Sequence, residues 1–221
     1  MPFMPKLYTY CIPVDDGAAP NPYWGVCTLA ICKPAIRRTA QCGDWVVGTG
    51  SKRSPIGDIS NRVVYAMRIS KVLTFQQYDR WTKKFNPNKI PKFSHSDVRR
   101  RLGDSIYDYS TGRARQRRGV HNSKNKPTDL RGKNVLISDH FFYFGNRPRI
   151  LPPRLRAIVK QTQGHRVRRN RPFITPFLRW LKSLNLQPNK LYGLPATKLM
   201  SNNGDRRCDD AKRDLKTCSV C

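Results

Sequence analysis

The sequence contains no glutamate, and all 14 of its acidic residues are aspartate. This absence excludes the metalloproteases that use an HExxH helix and the zinc deaminases that use an H-x-E motif, because both need a glutamate for proton transfer. A general base in this chain must therefore be Asp, His, Lys, Tyr or Cys. Four histidines are available for that role.

Long apolar segments are also absent. No run approaches the roughly 20 residues that a membrane-spanning helix needs, and the first ten residues, MPFMPKLYTY, lack the apolar core of a secretory signal. The odd number of cysteines, seven, favours free thiols in a cytoplasmic protein over a secreted disulfide framework. The hydrophobic fraction of 38% is low, so part of the chain is expected to add little to the core.

Positive charge is what the sequence has in excess, with 43 Lys and Arg and a net charge of +29. Residues 97–221 hold 29 of these basic residues against nine Asp, so the second half carries most of the charge. A chain this basic is typical of proteins that bind nucleic acid, although a solubilising surface is the alternative. Without an amphipathic basic helix and lipid anchors, we expect no membrane partner.

Three arginine-rich runs are predicted to contact a nucleic-acid backbone. Such contacts weaken steeply with salt and carry no sequence specificity of their own. The residues predicted for this role are Arg99, Arg100, Arg101, Arg115, Arg117, Arg118, Arg166, Arg168 and Arg169.

Alternating apolar and β-branched residues predict strands at 6–12, 62–70 and 135–144, the last interrupted by polar residues at 138–140. Long irregular segments separate these strands, which favours an α+β domain with a curved mixed sheet or a small open barrel over a doubly wound α/β fold. We expect this domain to span 1–171, with a basic irregular insertion at about 86–134. A helical or irregular extension would follow at 172–221.

The segment 32–52, CKPAIRRTAQCGDWVVGTGSK, predicts a basic helix at 32–39, a turn, a strand at 45–47 and a glycine-rich exit. The exit could cradle a phosphate with its backbone, and basic residues four apart on the helix could grip the same anion. It is not a Walker A motif, since Thr49 stands where that motif needs Lys. A plain loop and a solvated helix face are the alternatives. The predicted nucleotide- or phosphate-binding residues are Lys33, Arg37, Arg38, Gly48, Thr49, Gly50, Ser51 and Lys52.

Two aromatic residues, Tyr10 and Trp24, are predicted to stack on a base, because a bound base needs flat apolar surfaces. If the chain is an enzyme, Asp139, His140 and His165 are the predicted acid-base residues, with an Asp orienting a His. A turn or bulge at 138–140 is the alternative. His121 is the further histidine of this set.

The cysteines predict no metal site and no cofactor. Cys208, Cys218 and Cys221 form a C-x9-C-x2-C pattern with one close pair, whereas structural zinc takes four ligands. Free thiols in the tail are therefore expected. The cysteines at positions 27, 32 and 42 are expected to be small buried residues.

Several of these segments together resemble a known family. They are the block 6–51 from KLYTYC to VVGTGS, RVVYAMRI followed by LTFQQY, GDSIY at 103–107, VLISDHFFYFG at 135–145 and QGHR at 163–166. Over about residues 5–170 the chain resembles the second of the nucleotide modification-associated domain families. The resemblance implies a bacterial or phage context of modified bases in DNA, so DNA is expected as a partner more than RNA. GDWVVGTGS followed by RVVYAMRI is also similar to the strand pair of PUA-like, ASCH and EVE domains, which hold a nucleotide in an aromatic pocket.

Three functional hypotheses follow. The leading one is a nucleic-acid- or nucleotide-binding protein associated with modified bases, holding one nucleotide in an aromatic pocket beside a basic surface. The second is an enzyme that acts on a DNA base or nucleotide by Asp/His acid-base chemistry. The third is a basic protein associated with RNA or the ribosome, without a pocket.

Overall fold

A computed structural model describes residues 4–196 of the chain. Over this range the helices are α1 Pro34–Thr39, α2 Phe75–Phe85, α3 Val98–Arg101, α4 Lys126–Leu130 and α5 Ile174–Ser183. The strands are β1 Leu7–Ile12, β2 Cys27–Leu29, β3 Trp45–Gly50, β4 Arg62–Arg68, β5 Lys71–Thr74, β6 Tyr107–Asp108, β7 Arg115–Gln116, β8 Asn134–Ser138, β9 His140–Tyr143, β10 Arg149–Ile150, β11 His165–Arg166 and β12 Lys190–Leu191. Short 3₁₀ segments lie at Pro87–Lys89, Pro153–Ile158 and Arg168–Phe173.

The largest sheet has seven strands in the order β11-β1-β3-β4-β9-β12, with β10 also paired to β4. The β1–β3 and β9–β12 pairs are parallel, whereas the β3–β4 and β4–β9 pairs are antiparallel, so the sheet is mixed. The predicted α+β class with a mixed sheet is confirmed. The sheet has two open edges and does not close into a barrel.

A second sheet, ordered β2-β8-β5, shares two continuous stretches of chain with the first. Strand β4 passes into β5 through Ile69 and Ser70, and β8 passes into β9 through Asp139. The two corners are tied together, because the Asp139 backbone N–H donates to Ser70 Oγ over 2.9 Å. The polar interruption at 138–140 is therefore a bend at which a strand changes sheet.

Apolar residues between the two sheets form the first part of the core. Tyr8, Tyr10 and Tyr65 of the large sheet face Leu29 and Leu136 of the small one. Period-two alternation sends neighbouring residues of β1 to opposite faces. Leu7 therefore packs on the outer face of the large sheet, in a cluster with Trp45, Phe142, Phe177 and Trp180. The last two belong to α5, so residues on both sides of position 171 build this layer.

The outer face of the small sheet packs against α2 and the segment 86–134. Val135 and Ile137 of β8 share a cluster with Phe75 and Tyr78 of α2. The segment 86–134 adds Leu102, Ile106, Tyr107 and Val120 to the same cluster. This basic segment has short helices and strands with irregular connections, and it contributes buried apolar residues to the core.

The glycine-rich exit at 48–50 differs from the sequence prediction, because it continues strand β3. A side chain at Gly48 would collide with Ile12 and with the ring of Tyr65, and one at Gly50 would collide with Ile59. Glycine is therefore required here for close packing between strands rather than for a turn. Within residues 4–196, no helix is both long and apolar enough to cross a membrane.

Candidate functional site

The turn at residues 30–33, between β2 and α1, has an unusual backbone. Cys32 and Lys33 have φ values of 58° and 43°, in the left-handed region that residues with a side chain seldom adopt. Such conformations cost about 1–3 kcal/mol each and persist where the surroundings enforce them. Pro34 fixes the start of α1 immediately afterwards. We call residues 30–33 the Cys32 turn.

Side chains from two helices hold the Cys32 turn in place. The Cys32 backbone N–H donates to Asp129 Oδ1 over 2.9 Å, and Arg37 Nε donates to the Cys32 carbonyl over 2.6 Å. Both backbone polar groups of Cys32 are thus satisfied by side chains, one from α4 and one from α1. This double attachment offsets the strain of the turn and fixes the backbone position from which the thiol extends.

The thiol of Cys32 lies next to a histidine, and that histidine in turn contacts an aspartate. Cys32 Sγ lies 3.4 Å from His121 Nε2, and His121 Nδ1 lies 2.6 Å from Asp129 Oδ2. An ionised carboxylate only accepts hydrogen bonds, so Nδ1–H is the donor and Nε2 is left to face the thiol. This order of nucleophile, base and orienting acid is that of thiol-dependent acyl transfer. We call these three residues the Cys-His-Asp triad.

Neighbouring side chains support the triad from the segment 86–134. The Tyr107 hydroxyl donates to Asp129 Oδ2 over 3.0 Å, which supplies the carboxylate with another donor. Gln116 Nε2 donates to the carbonyls of His121 and Asn122 over 2.9 and 3.0 Å, fixing the loop that carries the histidine. The basic segment therefore brings both the base and the acid to the site.

The triad is well covered by protein. Cys32 exposes 6% of its surface, His121 4% and Asp129 1%. Burial strengthens the hydrogen bonds within the triad, because the local dielectric is low.

Arg37 lies in the core instead of on an exposed face shared with Lys33, which corrects the placement expected from the helical spacing. Its guanidinium is fully buried, and it donates to the carbonyls of Asn134 over 2.8 Å and of Asp129 over 2.6 Å, besides that of Cys32. Burial lowers the pKa of Arg37, while the nearby Asp129 and Cys32 raise it. In this position the guanidinium is buried and bound to three backbone carbonyls, so it does not face a phosphate in solvent.

A second group of polar side chains lies between the sheets, next to the Cys32 turn. Lys33 Nζ is 4.8 Å from the centre of the Tyr10 ring, and the Tyr10 hydroxyl is 3.0 Å from that of Tyr65. The Tyr143 hydroxyl donates to Asp15 Oδ2 over 2.7 Å, and burial raises the pKa of Asp15 to about 7. Tyr10 is fully buried, so its ring does not offer an open surface to a base.

The remaining residues predicted to bind phosphate are spread between the sheet and the surface. Residues 48–50 lie between β1 and β4 in the large sheet, where the strand ladder engages their backbone, and Thr49 Oγ1 donates to the Tyr10 carbonyl over 3.1 Å. The predicted backbone cradle is therefore not formed. Ser51 Oγ accepts from the Arg53 backbone over 3.1 Å. Arg38 and Lys52 are exposed.

The predicted acid-base residues are not brought together. His140 is in β9 and His165 in β11, with β1, β3 and β4 between them, a distance of about 19 Å at about 4.8 Å per strand. The His140 ring packs 5.6 Å from Trp45, and the His165 ring packs 5.8 Å from Tyr8. Burial lowers the pKa of both histidines. Asp139 is exposed at the sheet corner, so the three residues do not form one site.

Comparison with known families places these features in context. The family described as nucleotide modification associated domain 2 matches residues 4–202. The chain belongs to this family. No curated protein and no solved structure matches the chain. Family membership connects the protein with nucleotide modification, and the match includes every residue of the Cys-His-Asp triad.

In this family member, aromatic rings covered by cations lie near the basic segment. Trp24 is half-buried with φ of 66°, and the Arg99 guanidinium lies 5.1 Å from its ring centre. The Arg118 guanidinium lies 3.9 Å from the ring centre of Phe93. Trp24 thus keeps the loop position expected for a stacking residue, with one ring face already occupied.

The arginines predicted to contact nucleic acid differ in exposure. Arg117 is largely internal, since its guanidinium lies 2.6 Å from Asp79 Oδ1. Arg166 is half-buried and donates to the Ala157 carbonyl over 2.5 Å. Two others, Arg100 and Arg101, are half-buried in α3. The exposed members of the set are Arg99, Arg115, Arg118, Arg168 and Arg169.

Sequence reasoning missed the triad. It treated Cys32 as a small buried residue, grouped His121 with Asp139, His140 and His165 as candidate acid-base residues, and did not single out Asp129. The local signal was a short strand, a cysteine and a helix that starts with proline, which is typical of a nucleophile placed at a sharp turn. Cys27 is buried as expected, whereas Cys42 is exposed. Cys208, Cys218 and Cys221 lie outside the described residues.

Proposed function

We propose that this protein is a thiol-dependent enzyme of nucleotide modification, with Cys32 as its nucleophile. The observation that carries the proposal is the alignment of Cys32 Sγ, His121 and Asp129 at distances of 3.4 and 2.6 Å on a strained turn. The family context supports a substrate that is a nucleotide or carries one. The chemistry of the triad supports transfer of an acyl group.

Each residue of the triad has a defined task in this reaction. His121 accepts the thiol proton at Nε2, and the thiolate attacks an acyl carbon of an amide, ester or thioester. The leaving group departs with the proton from His121, and a thioester to Cys32 remains. Water or an amine then attacks this thioester, gives a proton to His121, and releases the acyl product. Asp129 keeps the imidazole oriented and stabilises its charged form.

p-Nitrophenyl acetate tests this proposal without knowledge of the natural substrate. We expect a burst of nitrophenol and an acetyl group on Cys32, located by peptide mass spectrometry. His121→Asn should slow the burst by roughly 10²- to 10⁴-fold, the range for loss of a general base. Cys32→Ser should abolish acetylation of the peptide that contains position 32.

Cys42→Ser is the matched control, because Cys42 is an exposed thiol outside the triad. This variant should keep the full burst. Acetylation that prefers Cys42, or that His121→Asn leaves unchanged, would contradict the proposal. Nucleoside monophosphates added before the reagent should slow acetylation of Cys32 if the site accepts a nucleotide.

A second function, binding of single-stranded nucleic acid, is supported by cation-covered aromatic rings on residues 84–118. Besides Arg118 on Phe93, Lys84 Nζ lies 5.0 Å from the ring centre of Phe85, which exposes 64% of its surface. Asn86 Nδ2 donates to the Trp24 carbonyl over 2.9 Å and joins the Trp24 loop to this region. We call the set of rings and neighbouring cations formed by Trp24, Lys84, Phe85, Phe93, Arg99 and Arg118 the aromatic-basic surface.

The aromatic-basic surface fits the chemistry of a single strand. Bases stack on aromatic rings, and lysine or arginine side chains bind the phosphates between them. DNA is the expected partner, since the family context is nucleotide modification. Binding at this surface and thiol chemistry at Cys32 are compatible, because a modifying enzyme must hold the polymer that carries its target.

A further inference from the structure

Arg37 has the largest fully buried side chain in the described part of the chain, residues 4–196. Its hydrogen-bond acceptors are three backbone carbonyls rather than carboxylates. Burying a charge whose partners are neutral carbonyls costs free energy, because these partners only partly replace the lost hydration. A residue of purely apolar character would fill the same space without that cost.

We infer that Arg37 is a positioning residue of the thiol site, which holds Cys32 against Asp129 and favours the thiolate form of Cys32. This inference rests on the proposed function. It assigns Arg37 no contact with substrate, since the side chain lies beneath the Cys32 turn.

The geometry of the guanidinium explains the positioning. Its Nε bonds the Cys32 carbonyl at 2.6 Å and one terminal nitrogen bonds the Asp129 carbonyl at 2.6 Å, so one rigid group connects the nucleophile with the acid. The planar fork of arginine can do this, whereas lysine offers a single nitrogen. Gly132 leaves the space that the guanidinium fills, and the Phe75 ring lies 5.2 Å from its centre.

The charges around Cys32 come from several elements. Arg37 is on α1, Lys33 is in the Cys32 turn, His121 is on the loop before α4, and Asp129 is on α4. The Asp129 carboxylate is engaged by Tyr107, His121 and the Cys32 N–H, so its charge is shared among these donors. Tyr10 of β1 is another titratable neighbour; burial raises its pKa, and so do the charges of Cys32, Cys27 of β2 and Asp15.

Among these groups Arg37 carries a permanent positive charge at the base of the turn. Electrostatic attraction is mutual: a thiolate on Cys32 helps Arg37 to stay charged despite its burial, and Arg37 favours that thiolate. Cationic neighbours of this kind lower the pKa of reactive thiols. Arg38 is exposed, so it would not attract a thiolate on Cys32 in this way.

Alkylation of Cys32 by iodoacetamide at different pH values tests the inference. Peptide mass spectrometry gives the rate at Cys32 separately from the other cysteines in wild type, Arg37→Gln, Arg37→Lys and Arg38→Gln. We expect Arg37→Gln to move the midpoint of the pH profile up by about one unit, with an approximately tenfold loss of rate at pH 6. Arg38→Gln should match wild type.

Arg37→Lys keeps the positive charge but removes the planar guanidinium, so it distinguishes the effect of charge from that of geometry. It also provides the test if Arg37→Gln does not fold. It should keep most of the wild-type midpoint while the p-nitrophenyl acetate burst falls at least about tenfold, because the fork to Cys32 and Asp129 is lost. A wild-type midpoint in Arg37→Gln, or a wild-type burst in a folded Arg37→Lys, would overturn the inference. If wild-type Cys32 is not alkylated at low pH and gives no burst with p-nitrophenyl acetate, the proposed function is contradicted instead.

Discussion

The pKa of the Asp15 carboxyl group is changed by its surroundings. It exposes 5% of its surface and accepts hydrogen bonds from the Tyr143 hydroxyl and the Gly17 backbone. Burial raises its pKa from 3.8 to about 7, so the folded protein holds this proton more tightly than the unfolded chain does. Its contribution to stability is therefore full below pH 3.8 and is lost as the pH rises through about 7.

Asp15→Asn should flatten this part of the pH dependence. The neutral amide can still accept from Tyr143, and it has no proton to lose between pH 4 and 7. At about 1.4 kcal/mol per unit of pKa, the wild type should lose on the order of 4 kcal/mol over this range from Asp15 alone. Urea unfolding at several pH values measures the difference. Asp58→Asn, at an exposed position, should keep the wild-type dependence of unfolding free energy on pH. If Asp15→Asn also kept the wild-type slope, the assignment of this pH dependence to Asp15 would be contradicted.

The triad shows which residues the sequence could not identify. The contacts of Cys32 with His121 and Asp129 join positions 89 and 97 apart, on segments with no shared periodicity. The sequence does not reveal the positive φ of Cys32, because glycine or asparagine normally occupies a position with that conformation. Arg37 was misplaced for a related reason: a charged residue on a short helix is expected at the surface unless its buried partners are known.

At the level of secondary-structure elements, the strands were predicted well where apolar and β-branched residues alternate clearly. The strands at 6–12 and 62–70 correspond to β1 and β4, and 135–144 corresponds to β8 and β9 with their corner. The glycines at 48 and 50 suggested a loop, whereas they extend β3 because large side chains from other elements fill the space above them. Such packing depends on tertiary contacts, which short sequence patterns do not contain.

Gly132→Ala tests the contact between α1 and the end of α4. A methyl group at this position would collide with the guanidinium of Arg37. Overpacking of this kind costs about 1–3 kcal/mol, and the penalty should shrink in an Arg37→Lys background because the planar group is gone. Urea unfolding of the single and double variants measures the coupling. Arg131→Ala, an exposed neighbour, should stay within about 0.5 kcal/mol of wild type.

If Gly132→Ala were as stable as Arg131→Ala, the close contact between Gly132 and the Arg37 guanidinium would be contradicted. Equal penalties in the wild-type and Arg37→Lys backgrounds would show that the methyl group meets another neighbour. The coupled result is expected because the two positions are in direct contact.

At the level of the whole molecule, the net charge is +29, and exposed basic residues occur both on α2 (Lys84) and on α5 (Arg179). The aromatic-basic surface lies on the side of the small sheet, whereas α5 lies on the outer side of the large sheet. Charge alone would bind a polyanion on either side. The exposed Phe85 ring and the half-buried rings of Trp24 and Phe93 distinguish the first side, since stacking needs aromatic surfaces.

Fluorescence anisotropy with a labelled single-stranded DNA tests this distinction. Phe85→Ala should weaken binding by about 1–3 kcal/mol without changing the salt dependence, because a stacking contact is lost. Lys84→Gln should reduce the slope of log affinity against log salt by about 0.7, the effect of one phosphate contact on a single strand. Arg179→Gln, on the exposed face of α5, should lower the affinity least. Equal effects of the three variants, or no measurable binding, would contradict the proposed surface.

The separation of the triad along the chain also sets a time order during synthesis. His121 follows Cys32 by 89 residues and Asp129 follows it by 97. At about 5–20 residues per second, the ribosome delivers the base and the acid roughly 5 to 20 seconds after the cysteine. During that interval Cys32 is an ordinary thiol on a growing chain. Its activation would come only when the segment through Asn134 has been made and folded, so the nascent chain is protected from its own nucleophile.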